Sequence, residues 1–375
     1  MKKFLCVATS FLMALTVTAC GSNGGDSNEG SSEAKAEVVM ITDVGTIDDR
    51  SFNQGTWEGV QAYGDETGKS VDYIKPAEKS DNAYKEAIDQ AVNDYGAKVV
   101  VTPGYLFEAS IYEKQDQYPD VKFILLDGYP NDADPENPTY KTAKNTVGIK
   151  YAEQEAGYMA GYAIVKDGKT KLGFMGGMAV PAVMNFGFGF VQGANDAAEE
   201  LGIKIDLKYK YTGSFTASPE IQSEAASWYK NEGVEVIFAC GGAIGNSVMA
   251  AAEANDGLVI GVDVDQSGDS ETVITSACKQ LANSVVKELK AIDDGTFPGG
   301  EDLVLSTADS AIELPMENSK FEKFTNEDYE TLYNNIKDGK IDIKNTDTLE
   351  DKNGDDVKDP TDITASNVNL DYIKN

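Results

Sequence analysis

Residues 236–263, VIFACGGAIGNSVMAAAEANDGLVIGVD, decide the fold class of this chain. Two short apolar runs, VIFACGG ending at Gly242 and LVIGVD ending at Asp263, enclose a stretch whose small and apolar residues recur at helical spacing. Neither run alternates strictly between apolar and polar residues, so each reads as a strand covered on both faces. Strand, helix and strand in succession imply a right-handed crossover and a parallel sheet.

Outward from this stretch the same unit recurs. VVMITD ends at Asp43, VVVTPG at Gly104, FILLDG at Gly128 and LGFMGG at Gly177. Between the first two, Tyr84, Ala87, Ile88, Ala91, Val92 and Tyr95 repeat at three- and four-residue steps, which predicts a helix capped at Asp81. The series runs through twice. It predicts an α/β protein of two doubly wound parallel-sheet lobes around a cleft, with the carboxyl ends of the strands facing that cleft. The first lobe is expected to comprise residues 37–147 with about 275–298, and the second residues 148–270 with about 300–375. Crossings between lobes are expected in 144–148, 265–276 and 295–303, and the acidic end from residue 336 is read as a strap.

At the other end stands MKKFLCVATSFLMALTVTAC, residues 1–20. Two lysines precede an apolar run too short to span a bilayer, and a small residue, Ala19, precedes Cys20, so residues 1–19 read as an export signal. VTAC resembles a lipobox, which makes Cys20 the lipidated first residue of the mature chain, with palmitate among the expected acyl groups. Residues 20–36 are Gly, Ser and acid without a large apolar side chain, a flexible tether. The expected location is the extracytoplasmic face of the cell membrane, held by the lipid anchor only.

Composition narrows the chemistry. The 375 residues carry a formal net charge of -31 and no histidine. Such a field repels nucleic acid and phosphorylated ligands, and the missing histidine excludes Ser/His/Asp machinery and His-ligated metals. No cofactor and no metal are expected. DVDQSGDSE from Asp263 has a calcium-loop rhythm but places Ile274 where the closing glutamate belongs. Cys240 and Cys278 are expected as free thiols, because a bond between lobes would lock a hinge.

Six stretches, ITDVGTIDDRSFNQGTWEG, GIKYAEQEAGYMAGY, LGFMGGMAVPAVMNFGFGFVQGAND, VIFACGGAIGNSVMAAA, VIGVDVDQ and VITSACK, resemble in this order the basic membrane protein family of lipoproteins. That resemblance implies the two-lobed periplasmic-binding fold (type I) and a substrate-binding component of an ABC-type nucleoside importer. It implies ligand contacts at Asp43, Phe52, Asn53, Asp127, Phe186, Gly242, Asp263 and Lys279. One departure is the loop after YTGSF, where members commonly carry an acid and this chain has Thr216, Ala217 and Ser218.

The residues themselves point the same way. Asp43, Asp127 and Asp263 follow apolar strands directly and can accept hydrogen bonds from sugar hydroxyls, while repelling phosphate. Phe52 and Phe186 offer flat faces, one from each lobe, and Asn53 offers a donor and an acceptor to a base edge. Lys279 supplies the one cation, for a ribose hydroxyl or to hold Asp263 or Asp265. A monomeric receptor that captures a nucleoside, a purine first, and passes it to a permease is the expected function. Two alternatives are a receptor for another neutral polyol and a calcium-dependent nucleoside hydrolase.

Overall fold

The computed structural model describes residues 35–352, 354 and 358–374. The export signal, Cys20 and most of the tether lie outside the described residues. Lys35 and Ala36, expected in the tether, belong to the fold: both backbone N–H groups donate to Tyr95 O, and Ala36 is fully buried.

In chain order the first elements are β1 (Val38–Ile41), α1 (Phe52–Thr67), β2 (Val71–Ile74), α2 (Asp81–Asn93), β3 (Val99–Pro103), α3 (Glu108–Gln117), β4 (Lys122–Leu126) and β5 (Thr146–Tyr151). Then come α4 (Glu153–Lys166), β6 (Lys171–Gly176), α5 (Pro181–Leu201), β7 (Ile205–Tyr211), α6 (Pro219–Ser227), β8 (Val236–Cys240), α7 (Ile244–Asn255) and β9 (Leu258–Asp263). The rest are β10 (Val273–Lys279), α8 (Leu281–Asp293), β11 (Asp302–Leu305), β12 (Ile312–Glu313), α9 (Asn326–Lys337) and β13 (Val368–Ile373).

Two sheets result, ordered β11-β5-β4-β3-β1-β2 and β12-β10-β9-β8-β6-β7-β13. Every pairing is parallel except that of β10 with β12. The expected pair of parallel α/β lobes is therefore present. Side chains of β1 alternate between two cores: Val39 and Ile41 pack with Tyr84, Ile88 and Phe123 under α2 and α3, and Val38 and Met40 face α1 and the rest of the molecule. That double coverage is why the strands read as unbroken apolar runs. The helix over 81–95 is α2, but its cap is Ser80, whose Oγ accepts from Ala83 N, and not Asp81.

Sheet membership corrects the expected lobe boundaries. β5 stays with the first sheet through Tyr151, pairing with β11, so the first crossing falls after residue 151 and not in 144–148. β10 pairs with β9 in the second sheet, so the stretch from 275 to Lys279 is not part of the first lobe. β11, expected in the second lobe, is the edge of the first sheet. Gly148, at the end of the expected crossing, lies inside β5; a Cβ there would sit 2.7 Å from Tyr129 Cδ1, so close packing requires the glycine. The acidic end closes with β13, which pairs in parallel with β7 at the edge of the second sheet.

Helices α4 and α5 meet backbone to backbone. A Cβ on Gly157 would lie 2.0 Å from Phe186 O, one on Gly189 2.0 Å from Gln154 O, and one on Gly193 2.0 Å from Tyr158 O. Glycine is the only residue that admits this approach, and the contact fixes the N-termini of both helices relative to each other. Gly189→Ala is expected to cost at least about 2 kcal/mol in urea denaturation. Gly268→Ala, whose Cβ meets nothing within 4 Å, is expected to be neutral. Equal stabilities for the two variants would contradict the packing argument.

Candidate functional site

Three aspartates stand where strands end. Asp43 follows β1, Asp127 follows β4 with φ 55, and Asp263 closes β9 with φ 66. Left-handed backbone disfavours most side chains, but Asp is among those that tolerate it. The turn redirects Asp127 and Asp263 toward Lys279, the last residue of β10.

Lys279 is the centre of the site. Its side chain is 1% exposed, and Nζ lies 2.6 Å from Asp127 Oδ2, 3.2 Å from Glu153 Oε1 and 3.9 Å from Asp263 Oδ1. The same nitrogen is 5.0 Å from the ring centre of Phe52, 5.2 Å from Tyr151 and 5.4 Å from Phe186, within cation–π reach of all three. Burial draws the ammonium down, but Asp127, Glu153 and Asp263 outweigh it and hold Lys279 above the usual lysine range. One cation faces three acids, so burial raises Asp127 and Asp263 despite the pull of Lys279. Asp127 Oδ1 is buried and accepts no hydrogen bond, a costly state for a carboxyl oxygen.

Beside this hub lies a second acidic group. Asn53 Nδ2 donates to Asp43 Oδ1 at 2.8 Å and to Asp49 Oδ2 at 2.9 Å, and Asn53 Oδ1 accepts from Asp43 N at 3.2 Å. Both amide donors of Asn53 are thus committed to orienting carboxylates. Burial pushes Asp43 up to about 6, against hydrogen bonds from Gly45 N–H and Asn53. Asp49 holds the turn into α1, accepting from Ser51 N and Gln54 N.

The lobes touch directly around the hub. Ser51 Oγ donates to Asp263 Oδ2 at 2.5 Å, Gln266 Nε2 donates to Arg50 O at 2.6 Å, and Arg50 pairs with Asp269 at 3.4 Å. With Lys279–Asp127, these contacts join the loop before α1 and the end of β4 to the second sheet.

Four of the eight expected residues, Phe52, Asp127, Phe186 and Asp263, therefore surround the ammonium of a fifth, Lys279. Asp43 and Asn53 adjoin them, since Asp43 Oδ2 and Phe52 Cε1 flank the same face of Gly104. Gly242 stands apart, at the switch point between β8 and β6, where its neighbour is Phe215 and its φ is 54. Sequence reading missed Glu153, Tyr151, Ser51 and Phe215. Glu153 had a signal, an acid directly after the apolar run that ends the first lobe. Cys240 and Cys278 are buried free thiols on β8 and β10, with β9 between them. Among the described residues no group of three or more His, Cys, Asp or Glu could hold a metal ion.

The family model for ABC transporter substrate-binding protein, PnrA-like (Bmp), matches residues 36–347. The chain is 28% identical over 343 residues to the ABC transporter nucleoside-binding protein BmpA of Lactococcus lactis, across 86% of this chain and 93% of that protein. To basic membrane protein D of Borreliella burgdorferi it is 28% identical over 331 residues, across 86% and 89%. Among solved structures, it resembles an ABC transporter solute-binding protein from Aeropyrum pernix with a TM-score of 0.68 at 22% identity, over 84% of this chain and 94% of that one. At that identity the likeness speaks for the fold, the two-lobed solute-binding type.

The raised acids have a measurable consequence. Folded Asp43 keeps a proton up to about pH 6, whereas the unfolded carboxyl releases it near its ordinary 3.8. Stability from this group is full below the lower value and is lost as pH rises through the upper one. The Tm of soluble protein is expected to fall by a few degrees between pH 5 and 7.5, and to fall less in Asp43→Asn. A wild-type Tm that rises over this window, or an identical slope in the variant, would contradict the buried-acid reading.

Proposed function

The chain belongs to the PnrA-like (Bmp) family of ABC transporter substrate-binding proteins, and on that premise we propose that it captures nucleosides outside the cell and delivers them to a permease. The family is a transport component and not an enzyme, so the hydrolase alternative falls. The observation that carries the ligand class is the hub itself: an ammonium between Phe52 and Phe186, with Asp127 Oδ1 left without a donor.

A nucleoside supplies what this arrangement lacks. A ribose hydroxyl donates to Asp127 Oδ1, and Lys279 donates to an ether or hydroxyl oxygen of the sugar. The base lies against the aromatic faces, each worth roughly 1 to 3 kcal/mol. Asp43, held by Asn53, accepts from a donor on the base or sugar, and Gly242 offers close backbone approach from the second lobe. Purines, with the larger stacking surface, are the preferred cargo. Because contacts come from both sheets, the full set forms only when the lobes close, and closure tells the permease that cargo is present.

The same reading puts the protein at the membrane surface through Cys20, with cleavage after residue 19, and as a monomer. No helix among the described residues is long and apolar enough to cross a membrane. Exchange of Cys20 for Ala is expected to shift the protein from the detergent phase to the aqueous phase of a Triton X-114 separation; retention in detergent would refute the anchor.

Calorimetry of the soluble form starting at Gly21 tests the ligand. Phe52→Ala and Asp127→Ala are each expected to weaken nucleoside binding by roughly tenfold or more, through loss of a stacked face and of a buried acceptor. Adenosine is expected to bind far better than its monophosphate, whose charge would enter a cleft lined by acids. Unchanged affinity in both variants, or equal affinity for the two ligands, would remove the assignment.

A further inference from the structure

The acidic C-terminal strap reaches the hub through one side chain. On α5, Asn185, Gln192 and Asn195 lie along a common face, and their amides bind the backbone of the strap. Thr346 N donates to Asn185 Oδ1 at 2.9 Å, Lys344 N and O pair with Gln192 at 2.8 Å each, and Asn367 N donates to Asn195 Oδ1 at 2.9 Å. Of the three, Asn185 is the one that leads on to the hub. Its Nδ2 donates to Glu153 Oε2 at 3.1 Å, while Glu153 Oε1 faces Lys279 Nζ at 3.2 Å. A continuous path runs from the backbone of residue 346 through Asn185 and Glu153 to the ammonium.

The path is built to be specific. An Asn amide carries its oxygen and its NH2 on opposite edges of one plane, so accepting from Thr346 N fixes that the NH2 edge is turned to Glu153. Glu153 itself is 3% exposed and opens α4, whose contact with α5 is clamped by Gly157 and Gly189. Burial, the Asp302 carboxylate and then Asp347 of the strap push Tyr129, on the first lobe, up to about 12.

We infer that Asn185 and Glu153 are positioning residues for the ligand site, and that the strap at Thr346 sets the place of the Lys279 ammonium through them. The consequence for binding rests on the nucleoside reading above; the consequence for Lys279 does not. The strap is then part of the binding machinery and not only a cover on the second lobe.

Thr346→Pro is a sharp probe because it removes one backbone donor and little else. Asn345 Oδ1 accepts from Asp347 N and Thr348 N, and Asn345 O accepts from Leu349 N, so residue 346 occupies the first position after a cap. Proline is well tolerated there. Asn185→Ala removes the relay itself, and Asn195→Ala removes an equivalent strap anchor that does not lead to Glu153. Calorimetry with adenosine, guanosine and uridine is paired with the ammonium resonance of Lys279 in ligand-free, 15N-lysine-labelled protein, assigned by its loss in Lys279→Met.

Asn185→Ala and Thr346→Pro are each expected to weaken binding roughly fivefold, the worth of one net hydrogen bond. The double variant should be no weaker than Asn185→Ala alone. Both single variants should shift the Lys279 resonance, and Asn195→Ala should do neither. Wild-type affinity in Thr346→Pro, losses that multiply in the double variant, or an equal loss in Asn195→Ala would overturn the relay. Should wild type bind none of the three nucleosides, the ligand assignment falls, and the resonance alone decides: a shift in both variants supports the relay and an unmoved signal refutes it.

Discussion

A buried ammonium shared by carboxyls from both lobes is the constraint on which this molecule turns. Lys279 ends β10 just before the chain crosses back to α8, and Glu153 opens α4 just after the chain has crossed from β5. Asp127 comes from the first sheet and Asp263 from the second. An unpaired buried charge is prohibitively costly, whereas removal of one partner from such a group typically costs about 3 to 5 kcal/mol. The charge thus links Asp127 of the first lobe to Lys279, Glu153 and Asp263 on the second-lobe side. The excess of acid over cation leaves the group short of donors, and Asp127 Oδ1 shows where one is wanting.

Precision at this point is inherited from packing far from the charge. Glycines on α4 and α5 let the two helices approach until backbone meets backbone, and the residues that open those helices include Glu153, Asn185 and Phe186. A slip of one helix past the other would carry an acid, an amide and a ring out of place together. A similar logic joins α1 to α8, where a Cβ on Gly59 would lie 2.7 Å from Ala282 O. Phe52 opens α1 and Lys279 precedes α8, so that contact sets the ring against the ammonium.

Much of this was legible in the sequence because it rests on short-range rules. Apolar runs without alternation gave doubly covered parallel strands, and an acid at the end of such a run gave Asp43, Asp127 and Asp263 their place. Where the chain changes sheets was not legible. VGIKY and VITSACK look alike as strands, and only pairing with β11 and β9 assigns the first to one sheet and the second to the other. Asn53 has the chemistry of a base reader, but its donors are spent on Asp43 and Asp49, two neighbours that no periodicity brings together. The strap was legible as an acidic end, but its docking on α5 was not, since that contact is made by backbone atoms whose sequence is immaterial.

The central claim is that Asp127 completes its hydrogen bonding with a sugar hydroxyl. A ligand–protein cycle tests it most directly: calorimetric affinities of a nucleoside and of its 2',3'-dideoxy counterpart, each on wild type and on Asp127→Asn. If the hydroxyls and the carboxylate meet, the dideoxy ligand loses affinity on wild type and little more on the variant, with a coupling of roughly tenfold or more. Losses that simply multiply would mean that Asp127 and the sugar do not touch, and the account of the site would fail.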